Sequence, residues 1–231
     1  MTNTLHRFGS AESFSDDIIV FALPALGKSG QGDALPVLKR FLQIALEYNP
    51  CNMGDARNGG ALRPTRFKSF FAHWFKRNKP DFQQVLRTMT KPTTMSVVFD
   101  NLPAAQAFIK RIKDEDLGIS VNISTSLTNA AHCCEHAGLV RHSMNYSLGF
   151  GSMGAKLPGR HAVMLSTMCG HGMISHSLAK KMIDFVKEGR RSPESAAASL
   201  QRFCSCGIFN KSRACRILED ARVGANESAI T

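Results

Sequence analysis

Five of the seven cysteines and several histidines fall into three short clusters in the second half of this chain. The first is AHCCEHA, residues 131–137. On a helix His132 and His136 stand at i and i+4, so both rings can face one way as a metal pair requires. Cys133 shares a face with His136, and Cys134 follows directly. The second cluster is MCGHG, residues 168–172, at the head of an apolar-periodic segment. Ile174, Leu178, Met182, Phe185 and Val186 keep helical spacing, which predicts a helix ending near Lys187 before Gly189. Cys169 is thereby expected just ahead of a helix N-terminus, where unpaired N–H groups favour a thiolate or a bound anion. Gly170 and Gly172 allow close approach of the backbone to a ligand and supply positive φ, with His171 within reach as acid, base or ligand. The third cluster is FCSCGIFN, residues 203–210. Cys204 and Cys206 form a C-x-C pair able to chelate, and Cys206-Gly207 repeats the logic of Cys169-Gly170 ahead of a helix capped by Asn210. Arg213 and Arg216 add positive charge there, while Cys215 reads as a packed thiol within the last helix.

Two chemistries follow from these residues. In one, thiolates from Cys133 or Cys134, Cys169, Cys204 and Cys206, with His132, His136 and His171 nearby, hold zinc or an iron–sulfur cluster, such as a 4Fe–4S cluster. The centre would act on a small anionic substrate held by Arg160 and the glycine-rich loop of residues 149–160, GFGSMGAKLPGR. In the other there is no cofactor, and Cys169 works as base or nucleophile with His171 or Cys206 completing the exchange.

The second chemistry carries a resemblance. MCGHG resembles the motif around one catalytic cysteine of the proline racemase family, which also continues into a helix. The resemblance implies two opposed cysteines that remove and return an α-proton without cofactor, which makes Cys169 one acid/base thiol and Cys206 its counterpart. It spans five to ten residues, and CGIFN stands where that family's second motif carries Gly-Thr-Gly.

The elements that must position these groups read as α/β, with a small mixed or parallel sheet, crossover helices and a helical C-terminal third. Residues 1–15 read as a disordered leader, 16–92 as an N-terminal α/β part, 93–222 as an α/β core bearing the cysteine clusters, and 223–231 as a polar tail. Strands are expected at DIIVFALPAL (17–26), TMSVVFD (94–100), GISVNIST (118–125), around residues 141–148, and at HAVMLST (161–167). The strand–helix–strand unit of residues 94–125 predicts parallel strands joined by a right-handed crossover. Helices are expected over residues 35–48, 102–112 and 128–137, and throughout the tail from Met173. Residues 49–64, rich in Gly, Asn and Pro, read as a loop.

In residues 66–87, Phe67, Phe70, Phe71, Trp74 and Phe75 line one helical face, with Arg66, Lys68, Lys76, Arg77 and Lys79 beside them. This is a core helix with a basic edge or, alternatively, a nucleic-acid-binding element. ALPALGKS (22–29) fits a loose phosphate-loop pattern but lacks the glycines that turn backbone N–H groups toward phosphate.

Composition bounds the rest. The chain has 231 residues, 43% hydrophobic, with 29 Lys and Arg against 18 Asp and Glu, a net charge of +11 that attracts anions and nucleic acid alike. No apolar run reaches the roughly 20 residues of a membrane span. The first residues lack the apolar centre of a secretory signal, and an odd cysteine count speaks against a disulfide framework. Cytoplasmic residence and free or metal-bound thiols are the expectation.

Overall fold

The computed structural model describes residues 5–24, 34–62, 80–146 and 156–224. Five strands, β1 (Ile18–Pro24), β2 (Asn52–Asp55), β3 (Gly59–Gly60), β4 (Met95–Phe99) and β5 (Ile119–Ser124), form one sheet in the order β3-β2-β4-β1-β5. Among the described residues eight α-helices accompany it: α1 (Ala34–Leu46), α2 (Phe82–Thr88), α3 (Leu102–Asp114), α4 (Leu127–His136), α5 (Arg160–Ser166), α6 (His176–Lys187), α7 (Pro193–Gln201) and α8 (Lys211–Val223). The expected α/β class holds, and the C-terminal third is helical. No described helix is long and apolar enough to cross a membrane.

Every strand pairing is antiparallel, which corrects the parallel unit expected at residues 94–125. β4 and β5 do run in the same direction, because both pair antiparallel with β1. The crossover helix α3 therefore joins two strands with β1 inserted between them. Local patterning gives strand direction but not which strand lies adjacent. The sheet also takes strands from both sides of the expected boundary at residues 92–93, so that point divides no sheet.

β1 is central, and its side chains alternate between two cores. Ile18, Val20 and Ala22 face a cluster built with Leu38, Phe41 and Leu42 of α1, Phe108 and Ile109 of α3, and Cys133 of α4. Ile19 and Phe21 face the opposite cluster, built with Leu165 of α5, Ile183 of α6, Leu200 of α7, Leu218 of α8, and Met168 and Cys169. The chain is thus three layers, helices on either side of one sheet.

Local signals place the helix ends. Asn101, Ser126, Ser175, Ser192 and Asn210 each accept, through the side chain, a backbone N–H of the first turn. α6 gives way to Gly189 at φ 70°, and α8 to Gly224 at φ 83°.

Four further expectations are corrected. Residues 161–166 belong to α5 rather than a strand, with Thr167 at its C-cap; His161 to Ser166 are all buried, so the run has no polar face to reveal its period. Residues 141–146 form no strand and lie exposed. Residues 49–64, read as loop, contain the β2–β3 hairpin, whose turn is closed by Asp55: its Oδ1 accepts from the N–H groups of Arg57 (2.8 Å) and Asn58 (2.6 Å). Residues 5–15, read as disordered leader, are hydrogen-bonded to the core: Arg7 Nε donates to Met168 O (3.0 Å) and Phe8 N–H to Thr167 Oγ1 (3.1 Å). The aromatic face Phe67 to Phe75 with its basic neighbours, most of the phosphate-loop match, and Gly149 to Ala155 lie outside the described residues.

Candidate metal centre

The site is built from two turns of the same design. The first follows α5. Cys169 is fully buried and Gly170 adopts φ 70°, which reverses the chain so that the His171 N–H meets the Cys169 sulfur. A side chain at Gly170 would come within 2.9 Å of Leu5 Cβ and 3.1 Å of His6 N, so position 170 takes only glycine. The second follows α7. Cys204 and Cys206 flank Ser205, Gly207 adopts φ 76°, and the Ile208 N–H meets the Cys206 sulfur. In each turn a left-handed glycine one residue after the cysteine brings the next amide onto the sulfur, where it stabilises negative charge.

The second turn is locked to the sheet by the β2–β3 hairpin. Gly60 N–H donates to Ser205 O at 2.8 Å, and Asn52 Nδ2 donates to Phe209 O at 2.9 Å. The approach is so close that a Cβ on Gly60 would stand 2.2 Å from Gly207 Cα, and one on Gly54 2.6 Å from Cys206 O. These glycines, read from sequence only as loop residues, carry the cysteine turn. Their signal was the run NMGDARNGG, in which Asp and Asn supply turn chemistry between short extended pieces.

The two turns bring four donors together. The Cys169 sulfur, a His171 ring nitrogen and the Cys206 sulfur all lie within 4.8 Å of one another, and the three residues are positioned to bind a metal. Cys204 Sγ lies 3.0 Å from Cys206 Sγ and within hydrogen-bond reach of Cys169 Sγ. A tetrahedral ion with metal–sulfur bonds of about 2.3 Å spaces its sulfurs about 3.8 Å apart. The Cys204–Cys206 sulfur pair is closer than that, at 3.0 Å, and the Cys169–Cys206 pair lies within 4.8 Å.

The electrostatics single out Cys169. Hydrogen bonds from the Cys204 and Cys206 thiols, joined by His171, hold its ionisation far below the ordinary thiol range. Hydrogen bonding to Cys169 in turn raises Cys206 to about 12, drives Cys204 well up, and raises His171 above the usual imidazole value, with the Cys169 charge adding to each. One thiolate thus sits among two thiols and a basic imidazole, the state from which a divalent cation displaces protons.

Other expected site residues lie elsewhere. Cys133 packs in the core on the opposite face of the sheet, its thiol pushed up to about 12 by burial, so it cannot share an ion with Cys169. Cys134 is half-buried, while His132 and His136 are exposed on α4. Among the described residues no other group of His, Cys, Asp or Glu has metal-ligating spacing. Arg160 opens α5 within electrostatic reach of Glu12. Cys169 is not just ahead of a helix start as expected, because the cap of α6 is Ser175, several residues further on, whereas α8 is capped by Asn210 shortly after Cys206 as expected. The backbone amides of the turns do the work assigned to the helix ends. Gly172 does adopt the expected positive φ, at 65°.

Behind the first turn lies a buried ionic group that sequence reasoning missed. Asp17 is fully buried and pairs with both Arg7 and Arg213. Arg213, read as positive charge near the third cluster, has a side chain with no exposure.

Comparison of the chain with models of protein families, with curated proteins and with solved structures gives no match in any of the three. The fold and the site therefore carry the functional conclusion alone.

Proposed function

We propose that this chain is a metalloprotein in which Cys169, His171, Cys204 and Cys206 hold a single zinc ion. One observation carries the proposal: two glycine-cysteine turns from separate helix connections bring the ligand atoms of Cys169, His171 and Cys206 within 4.8 Å of one another, with Cys204 Sγ beside them 3.0 Å from Cys206 Sγ. A set of three cysteines and one histidine is a usual zinc set, and with all four positions filled by protein the ion is structural. It would tie the α5–α6 turn to the α7–α8 turn and fix both against the sheet.

The same residues could serve an iron–sulfur cluster, but a four-iron cluster puts each thiolate on a different iron. Sulfurs 3.0 Å apart suit a shared single ion better. The cofactor-free alternative needs a substrate carbon between Cys169 and Cys206. With reacting atoms about 3–3.5 Å apart, the thiols would stand roughly 6–7 Å from each other. Their spacing, within 4.8 Å, favours the metal.

The test is anaerobic purification followed by metal and acid-labile sulfide assays, with the visible spectrum of the cobalt-substituted protein. One zinc per chain, no sulfide, and a thiolate-rich tetrahedral cobalt spectrum are expected. Acid-labile sulfide with stoichiometric iron would replace zinc by a cluster. A folded protein that takes up no metal would return Cys169 to thiol chemistry.

A further inference from the structure

Cys204 and Cys206 stand in one turn, separated by Ser205 alone, with their sulfurs 3.0 Å apart. A disulfide bond measures about 2.05 Å, and sulfurs sharing a tetrahedral zinc stand about 3.8 Å apart. The pair lies between the two. A shift of about 1 Å, which side-chain rotation supplies, closes the bond.

The backbone around the pair is already fixed. Ser205 O accepts from the Gly60 N–H at 2.8 Å, and Phe209 O from Asn52 Nδ2 at 2.9 Å, so the β2–β3 hairpin holds this turn whichever partner the sulfurs take. Cys169 is placed differently. It belongs to the α5–α6 turn, where Gly170 lies against Leu5 and His6, and joining it to Cys206 would draw two separately anchored turns together. Exposure then sets the point of entry. Cys169 is fully buried and Cys204 is 5% exposed, whereas Cys206 is half-buried and lies beside the exposed His171. A small neutral oxidant meets the Cys206 sulfur first.

We propose that Cys204 and Cys206 are a redox-modification site, which hydrogen peroxide converts to a disulfide, and that this bond withdraws two of the four ligands proposed for the ion. The first half rests on the sulfur pair; the second rests on the single-ion centre argued above. The Cys206 sulfur attacks the O–O bond and takes one oxygen as a sulfenic acid, while the other leaves as water with the thiol proton. Cys204 Sγ then attacks the Cys206 sulfur. The S–O bond breaks, and the hydroxyl leaves as a second water with the Cys204 proton. The two thiols lose two electrons and two protons, and one peroxide takes them all to become two waters. In the loaded site the sulfurs are thiolates, solvent supplies the two protons, and the ion departs as a divalent cation. Cys169 and His171 are then half of a four-coordinate set. A disulfide near the surface that spans a single residue is of the labile kind, reopened by thiols.

The test uses the full chain loaded with zinc and treated with one equivalent of hydrogen peroxide, then alkylated under denaturing conditions and digested with trypsin. Cleavage after Arg202 and Lys211 releases residues 203–211, which hold Cys204 and Cys206 and no other cysteine. This peptide is expected unalkylated and two hydrogens lighter than its dithiol form. A dithiol reductant added before alkylation should restore the doubly alkylated peptide. A chromophoric chelator should register one zinc released per disulfide formed, and the peptide with Cys133 and Cys134 should stay fully alkylated. A 203–211 peptide alkylated at both cysteines after peroxide, or cross-linked to the Cys169 peptide, would overturn the inference and leave the metal centre standing. A disulfide formed with zinc still bound would overturn the withdrawal of ligands. A chain that forms the disulfide but never takes up zinc would bring down the metal centre and uphold the redox pair.

Discussion

Cys133 and Cys169 are both fully buried, on opposite faces of one sheet, and they ionise in opposite directions. Cys133 sits on a helix among aliphatic and aromatic side chains of the same core cluster, where burial, with a smaller push from Cys134, raises it to about 12. Cys169 sits in a turn where an amide, two thiols and an imidazole converge on its sulfur, and it is held far down. Depth of burial is the same; the supply of hydrogen-bond donors differs. A helix spends its amides on its own carbonyls, whereas a left-handed glycine turn releases one for the sulfur. That contrast explains why the helical i, i+4 pair His132 and His136 stays exposed and apart from any ligand group, while the site forms from two connections.

The comparison can be broken most strongly at the turns. Cys206→Ser removes one of the four proposed ligands. With roughly 10–16 kcal/mol of binding at a structural zinc site, its loss should weaken zinc binding roughly 100-fold or more, measured by chelator competition. The pH dependence should be nearly as large. Cys206, raised to about 12, and Cys204, raised well above the ordinary thiol value, both hold protons at neutral pH and must release them to bind the proposed ion. Titration calorimetry in buffers of different ionisation heat should find about two protons released per zinc, and a third where His171 is still protonated. Binding therefore tightens as pH rises, and a proton count near zero would contradict the assigned ionisation states. Gly60→Ala should cost about 1–3 kcal/mol in denaturant unfolding, because its Cβ meets Gly207 Cα at 2.2 Å, and should loosen zinc binding with it. On the other face, Cys133→Ala should cost about 1 kcal/mol of stability and leave zinc affinity unchanged. Replacing His132 or His136 by Ala should move stability by less than about 0.5 kcal/mol and the metal not at all.

The central elements of the site were visible in the order of residues. Cys169-Gly170 and Cys206-Gly207 are neighbours in sequence, and their repeated pattern marks two turns of one kind. Helical periodicity likewise marked α1, α3 and α6, whose apolar stripes alternate with polar faces. α5 escaped because it is buried all round and offers no such alternation. The order of strands escaped because nothing local tells β4 and β5 that β1 will lie between them. Arg7 and Asp17 escaped for a related reason. Each looks like an ordinary polar residue until Arg213, nearly 200 positions away, supplies the partner that buries it.

That last contact also governs how the molecule comes into being. Asp17 and Arg213 are separated by 196 positions, and β1 must wait for β4 and β5 before it is the middle of anything. Contacts of such long range slow folding, since the chain loses loop entropy before it gains their energy. A chain growing from its N-terminus makes β1 and Asp17 early and α8 last. Until α8 arrives, a strand apolar on both faces and a carboxylate lacking one of its two arginines stay in water. The interval before α8 is made is when this protein is most exposed to aggregation, and a truncation that removes α8 should leave it there permanently.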